Sequence, residues 1–152
     1  MTPKKLHLLG WYLPLLVMLT ACSFTGLLSG GQSDELRSMG DVTWVLKFYG
    51  TEGDLTPALP QPQITLNFDF DKEVASGIGG CNNYSASFTL RNANLSIEQA
   101  MSTLMACLDN QAMQQETDYL MLLSQVASYK IEGNALVLFT ENGETLHFLP
   151  SN

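Results

Sequence analysis

The chain has 152 residues, 45% hydrophobic and 14% charged, with 7 Lys+Arg against 15 Asp+Glu and a net charge of −8. That length suits one domain rather than two. The acidic balance argues against nucleic acid, which proteins hold through clustered Lys and Arg, and adds nothing to attraction for anionic lipid heads.

The N-terminus opens with Lys4 and Lys5 and no acid, then runs apolar from Leu8 to Leu19 apart from Gly10, Tyr12 and Pro14. This stretch is shorter than the roughly 20 residues that span a bilayer. A basic start, a short apolar middle and a small-residue cleavage site mark a secretory signal peptide. It ends in Leu19-Thr20-Ala21-Cys22, which resembles the bacterial lipobox, where the peptidase cuts before a cysteine that carries diacylglycerol. Residues 1–21 are therefore expected to leave, and Cys22 to bear acyl chains such as palmitate. Losing Lys4 and Lys5 deepens the net charge from −8 to −10. Each buried methylene contributes about 0.8 kcal/mol, so two or three chains hold firmly where one is marginal. Residues 22–41, with Gly26, Gly30 and Gly31, read as the lipidated Cys and a flexible tether. Phe24, Leu27 and Leu28 either dip into the interface or belong to a plain linker.

The domain is expected over 42–152. Trp44 to Tyr49 is rich in β-formers and stops at Gly50, a strand. Thr51 to Pro62 holds Pro57, Pro60 and Pro62 and reads as an extended loop. Ile64, Leu66, Phe68 and Phe70 alternate with polar residues, a strand with one buried face. Asp71-Lys72-Glu73 turns the chain, and Val74 to Leu90 returns as one or two strands broken by Gly77, Gly79 and Gly80, where a bulge or close backbone approach is expected. Asn92-Ala93-Asn94 is a turn and Leu95–Ile97 a short strand; 101–107 fits no single pattern. Asp109 or Asn110 caps a helix to about Ala127, with Met113, Leu120, Leu123 and Ala127 at helical spacing beside Glu116 and Tyr119. Tyr129–Ile131, Ala135–Thr140 and Thr145–Leu149 form a meander joined at Gly133-Asn134 and Asn142-Gly143.

Few residues could carry chemistry. His147 is the one histidine left after the leader, which excludes multi-His zinc sites, and strand alternation puts it on the outer face. Asp69, Asp71 and Glu73 lack the glycine-spaced ligand loop of a calcium site and read as a solvated strand end. Met101, Met105 and Met113 near Cys107 offer soft sulfur, but methionine more often fills irregular core gaps. Gly77-Ile78-Gly79-Gly80 has no following Lys for a phosphate loop, and no serine elbow occurs outside the tether. No catalytic residue, metal or cofactor is expected, and the chain does not read as an enzyme.

Gly79-Gly80-Cys81-Asn82-Asn83-Tyr84, Ser102-Thr103-Leu104-Met105-Ala106-Cys107 and Trp44-x-Leu46 together resemble the META domain, the HslJ-like heat-shock lipoprotein family. Glu116, Tyr119-Leu120, Ile131-x-Gly133-Asn134-x-Leu136-x-Leu138 and Leu146-His147-Phe148 follow in the family's order. The resemblance implies a mainly β fold with one helix (α+β), a small curved antiparallel β-sheet or partial barrel with the helix packed across it. It implies envelope-stress or antibiotic-tolerance settings and brings no catalytic residues. Trp44, Gly80, Cys81, Asn82, Thr103 and Cys107 are then structural motif residues. Where many relatives carry Arg, this chain has Asn83 and Leu104. Ser23 after the lipidated cysteine, not Asp, implies the outer membrane facing the periplasm in a Gram-negative host.

Once Cys22 is acylated, Cys81 and Cys107 remain as a pair in an oxidising compartment, and a disulfide between them is expected. Two separate buried thiols, or a soft metal site with Met101 and Met105, are the alternatives. The leading functional expectation is a monomeric, non-enzymatic lipoprotein, held to the membrane by Cys22 and contacting an unidentified envelope protein. The alternative is a small hydrophobic-ligand binder in a barrel-like pocket lined by Phe68, Phe70, Phe88 and Met105. Mass spectrometry of membrane-extracted protein is expected to find an acylated Cys22 at the N-terminus and a Cys81–Cys107 linked peptide. A retained leader, or two freely alkylated thiols, would contradict these expectations.

Overall fold

The computed structural model describes residues 35–37, 40–105 and 108–151. The expected leader, Cys22, the apolar tether residues 24, 27 and 28, and Cys107 lie outside them. The chain forms β1 (Trp44–Thr51), β2 (Asp54–Pro57), β3 (Thr65–Asp69), β4 (Val74–Ile78), β5 (Asn83–Arg91), β6 (Asn94–Ile97) and β7 (Met101–Ser102). Helix α1 (Asn110–Leu123) follows, then β8 (Val126–Glu132), β9 (Ala135–Thr140) and β10 (Glu144–Pro150).

Eight strands close into an antiparallel barrel in the order β1-β3-β4-β5-β6-β8-β9-β10. The ring is shut by β1 against β10, from Trp44↔Pro150 to Thr51↔Glu144. The expected partial barrel is therefore a closed one. Register shifts at Leu46/Phe48 in β1 and Val126/Ser128 in β8 bend those strands, as bulges do. The expected loop over 51–62 contains β2, paired to β1 from Phe48↔Pro57 to Thr51↔Asp54. It sits outside the ring with Pro57 at its end, where a missing N–H breaks no central ladder.

Period-two alternation fills the barrel. Trp44 and Leu46, Leu66 and Phe68, Tyr84 and Phe88, Leu136 and Leu138, and Leu146 and Phe148 are all buried. Phe68, Phe70 and Phe88 pack on one another with centroids 5.2–5.8 Å apart. Met105 is 58% exposed and elsewhere, so these four residues do not line one pocket. The expected tether ends early: residues 35–37 form a helical turn with Leu36 fully buried, and the Arg37 guanidinium lies 5.5 Å over the Phe70 ring. The domain thus begins before 42.

Asp109 caps α1, its carboxylate accepting from the Gln111 and Ala112 N–H at 2.8 and 3.4 Å. The helix stops at Leu123, not Ala127, because Val126 pairs with Thr140 as the first residue of β8. Its buried face keeps the expected Glu116, Tyr119 and Leu123 but not Met113 or Leu120. Ala112, Gln115, Glu116, Tyr119, Leu122 and Leu123 face the barrel, while Met113 is 44% exposed and Leu120 half-buried. A close backbone approach does occur at Gly77, where a Cβ would fall 2.0 Å from the Thr65 carbonyl oxygen.

Trp44 is 1% exposed, and its Nε1 finds no hydrogen-bond partner among the described residues. Trp44→Ala is expected to cost about 3–5 kcal/mol in denaturant unfolding, the usual cost of deleting a core aromatic. Trp44→Phe loses no hydrogen bond and is expected to cost less than half as much. Equal midpoints for the wild type and Trp44→Ala would contradict this packing.

Candidate functional site

The family-motif residues meet where α1 crosses the loop between β4 and β5. Gly79 N–H donates to the Asn82 carbonyl at 2.7 Å, which folds the loop tightly. The N–H groups of Cys81 and Asn82 in this loop point at the helix. Cys81 and Asn82 both donate to Glu116 Oε2 at 2.8 Å, and Asn82 Nδ2 donates to Glu116 Oε1 at 2.8 Å. Consecutive amides forming such a concavity favour an anion. Glycine is required here: a Cβ on Gly79 would lie 2.9 Å from Glu116 Cγ, and Gly80 has φ +135 with its Cβ position 3.4 Å from the Ala112 carbonyl.

Asn82 passes the connection on. Its Oδ1 accepts from Thr103 Oγ1 at 2.8 Å and from the Met105 N–H at 2.7 Å, and its Nδ2 reaches the Met105 carbonyl at 3.3 Å. One buried asparagine thus joins the loop, the helix and the 103–105 segment. Gln115 adds a second tie, accepting the Leu59 N–H at 2.7 Å; its Nε2 has no partner among the described residues.

Below Glu116, Tyr119 enters the barrel between Tyr84 and Phe148, with centroids 5.6 and 6.4 Å away. The two phenol oxygens are 2.6 Å apart, and Tyr84 also donates to the Thr65 carbonyl at 2.8 Å. Tyr84 has one proton and spends it on Thr65, so Tyr119 donates to Tyr84. Burial, the largest cause for both, pushes both phenols well above their ordinary pKa and keeps the pair neutral.

Outside this seat lies a groove of about 670 Å³ between α1 and the 99–105 segment. Leu104, Met105, Met113, Leu120 and Met121 supply its apolar lining. Leu104 is 99% exposed, Met121 53% and Met113 44%, and Met101 at 80% flanks it on β7. Met101, Met105 and Met113 are therefore surface residues, not core fillers. For Met113 the reason is the rotation of the helix: Gln115 and Glu116 take buried positions because backbone N–H groups satisfy them, and this turns Met113 and Met121 outward.

The remaining candidates are dispersed. His147 is half-buried on β10, with Nε2 2.9 Å from Thr145 Oγ1, across the ring from Cys81. Asp69 pairs with Lys72, whose hydrogen bond holds the carboxyl below its usual range. Among the described residues no three His, Cys, Asp or Glu side chains converge as metal ligands. Trp44 stands apart in the core, and Gly80, Cys81, Asn82 and Thr103 meet around Glu116. The expected Cys81–Cys107 disulfide involves Cys107, which lies outside the described residues. Sequence reasoning missed the groove because the stripe Met113, Thr117, Leu120, Met121, Ser124 has the same helical period as the buried one; only the partners of Glu116 decide between them.

The META domain family model matches residues 37–152. A protein from Burkholderia xenovorans solved by NMR is similar at 29% identity and TM-score 0.63, over 78% of this chain and 88% of that one. A second NMR structure has 23% identity and TM-score 0.57, over 74% and 92%. The crystal structure of a DUF4847 family protein from Bacteroides vulgatus shares the fold at 14% identity and TM-score 0.53, over 74% and 94%. No curated protein matches.

Tyr84→Phe strands a buried Tyr119 hydroxyl and the Thr65 carbonyl, and is expected to cost about 1–3 kcal/mol. Tyr119→Phe leaves Tyr84 bonded to Thr65 and is expected to cost about 1 kcal/mol or less. Urea unfolding checks the order, and a costlier Tyr119→Phe would reverse the assignment.

Proposed function

The chain belongs to the META domain family, and on that footing we propose that it is a non-enzymatic, monomeric envelope lipoprotein that works by contact with another envelope protein. Cys22 holds it to the outer membrane on the periplasmic side, and its setting is envelope stress or antibiotic tolerance. Among the described residues no helix is long and apolar enough to cross a membrane, and in this reading the lipid on Cys22 supplies the attachment. One observation carries the protein-contact reading: large apolar side chains are exposed together around one groove, while the barrel interior is filled with side chains. Clustered exposed apolar surface rimmed by polar residues is characteristic of an interaction site. Methionine suits that role because its unbranched, polarizable side chain adapts to a partner.

The proposed Cys81–Cys107 disulfide would brace the same wall. Asn82, next to Cys81, binds both backbone groups of Met105, two residues before Cys107. A second reading, a small apolar ligand, is favoured by the groove volume of about 670 Å³, within the roughly 300–1,000 Å³ common for ligand sites.

A photoactivatable residue at Met113 or Leu104 in intact cells is expected to give a discrete protein adduct that is absent when the probe sits at Lys130, an exposed site on β8. Equal labelling at Lys130, or no protein adduct from the groove, would remove the protein-contact reading. A small-molecule mass increment on the purified protein would then favour the ligand.

A further inference from the structure

We propose that the groove between α1 and the 99–105 segment docks the apolar face of a basic amphipathic helix of the partner protein. This inference rests on the protein-contact reading and adds the partner's chemistry.

Shape argues for a helix. Met113, Thr117, Leu120, Met121 and Ser124 form one open face of α1. Small Thr117 and Ser124 alternate there with the larger Met113, Leu120 and Met121, giving ridges and hollows that accept the side chains of a second helix. The face from Met113 to Ser124 rises about 16 Å, or three helical turns. Leu104 and Met105 form the facing wall, and Leu104 has almost no protein cover at 99% exposure. An apolar face laid between such walls is anchored at helical spacing.

Charge argues for a basic occupant. No Lys or Arg lines the groove; the domain's cations, Arg37, Lys47, Lys72, Arg91 and Lys130, are all elsewhere. Exposed Glu98 stands beside the lining residue Gln99, and Glu116 is itself part of the lining. With a net charge of −10 once Lys4 and Lys5 have left with the leader, the protein repels a second copy of itself and attracts a cationic segment.

The groove and the start of the described domain lie at different ends of β3. The tether joins the barrel through Leu36 and Arg37 at Phe70. From Asp69, β3 leads back roughly 14 Å to Thr65, whose carbonyl meets Tyr84 beneath the Glu116 seat. The Met105–Met113 end of the groove therefore lies by the Thr65 end of β3, away from Leu36 and Arg37 at Phe70.

The test uses the full-length lipidated protein in nanodiscs of zwitterionic lipid and a fluorescent synthetic peptide of leucine and lysine in amphipathic helical order. Saturable binding is expected. The Leu104→Ser, Met113→Ser, Met121→Ser triple variant keeps every charge and alters only exposed side chains, so its melting temperature should hold. Its affinity is expected to fall by roughly tenfold or more, at least about 1.4 kcal/mol. A leucine/glutamate counterpart, and a leucine/lysine peptide with scrambled period, are each expected to bind at least as weakly as that. Equal binding to the triple variant overturns the site, equal binding of the glutamate peptide overturns the charge preference, and equal binding of the scrambled peptide overturns the helix. Flotation of unlipidated protein with phosphatidylglycerol vesicles that is lost in the triple variant assigns the groove to a membrane and also overturns the proposal. Protein adducts at Met113 without peptide binding would leave protein contact standing and remove this inference alone.

Discussion

The seating of Glu116 in the amides of Cys81 and Asn82 sets where the helix lies, and most of the functional surface follows from it. A buried carboxylate loses several kcal/mol of hydration unless its oxygens are met. Here two main-chain N–H groups share Oε2 and the Asn82 amide takes Oε1, all at 2.8 Å, with no Lys or Arg involved. Hydrogen bonds to a charged group contribute about 1.5–3 kcal/mol each, so this cluster can offset the desolvation. The arrangement leaves no room for a side chain at 79 and needs a positive φ at 80, which is why glycine occupies both.

Seating Glu116 inward fixes the rotation of α1. Tyr119, about one turn on, must then enter the barrel, where it meets Tyr84 and Phe148. Met113 and Met121 must face out. Asn82 couples the same seat to Thr103 and Met105, so both walls of the groove hang from one polar cluster. A rigid seat carrying flexible methionines divides the labour: the cluster holds the walls in place, and the methionines adapt to what enters.

Much of the barrel was legible in the sequence because its strands alternate cleanly. Ile64, Leu66 and Phe68 announced their buried face, and Gly133 and Gly143, both at positive φ, marked the hairpins of the meander. Closure was not legible, since the Trp44↔Pro150 pairing joins the two ends of the domain and leaves no local pattern. Nor was β2 visible, because prolines hid an edge strand where they do little harm. The helix was legible, with Glu116, Tyr119 and Leu123 on its inner face, but the outward turn of Met113 and Leu120 was not. Apolar counting favours Met113 and Leu120 over Gln115 and Glu116, and hydropathy cannot register that a distant loop supplies donors for a carboxylate. Leu36, isolated in polar surroundings, gave no sign that it closes the core.

A double-mutant cycle on Glu116 and Asn82 tests the central claim most directly. Glu116→Gln, Asn82→Ala and the pair together would be followed by urea unfolding. If one cluster holds loop, helix and the 103–105 segment together, the two changes couple by about 1.5 kcal/mol or more, in the upper part of the range for residues sharing a network. Losses that simply add would contradict the account and leave the helix held by Tyr119 and its apolar neighbours alone.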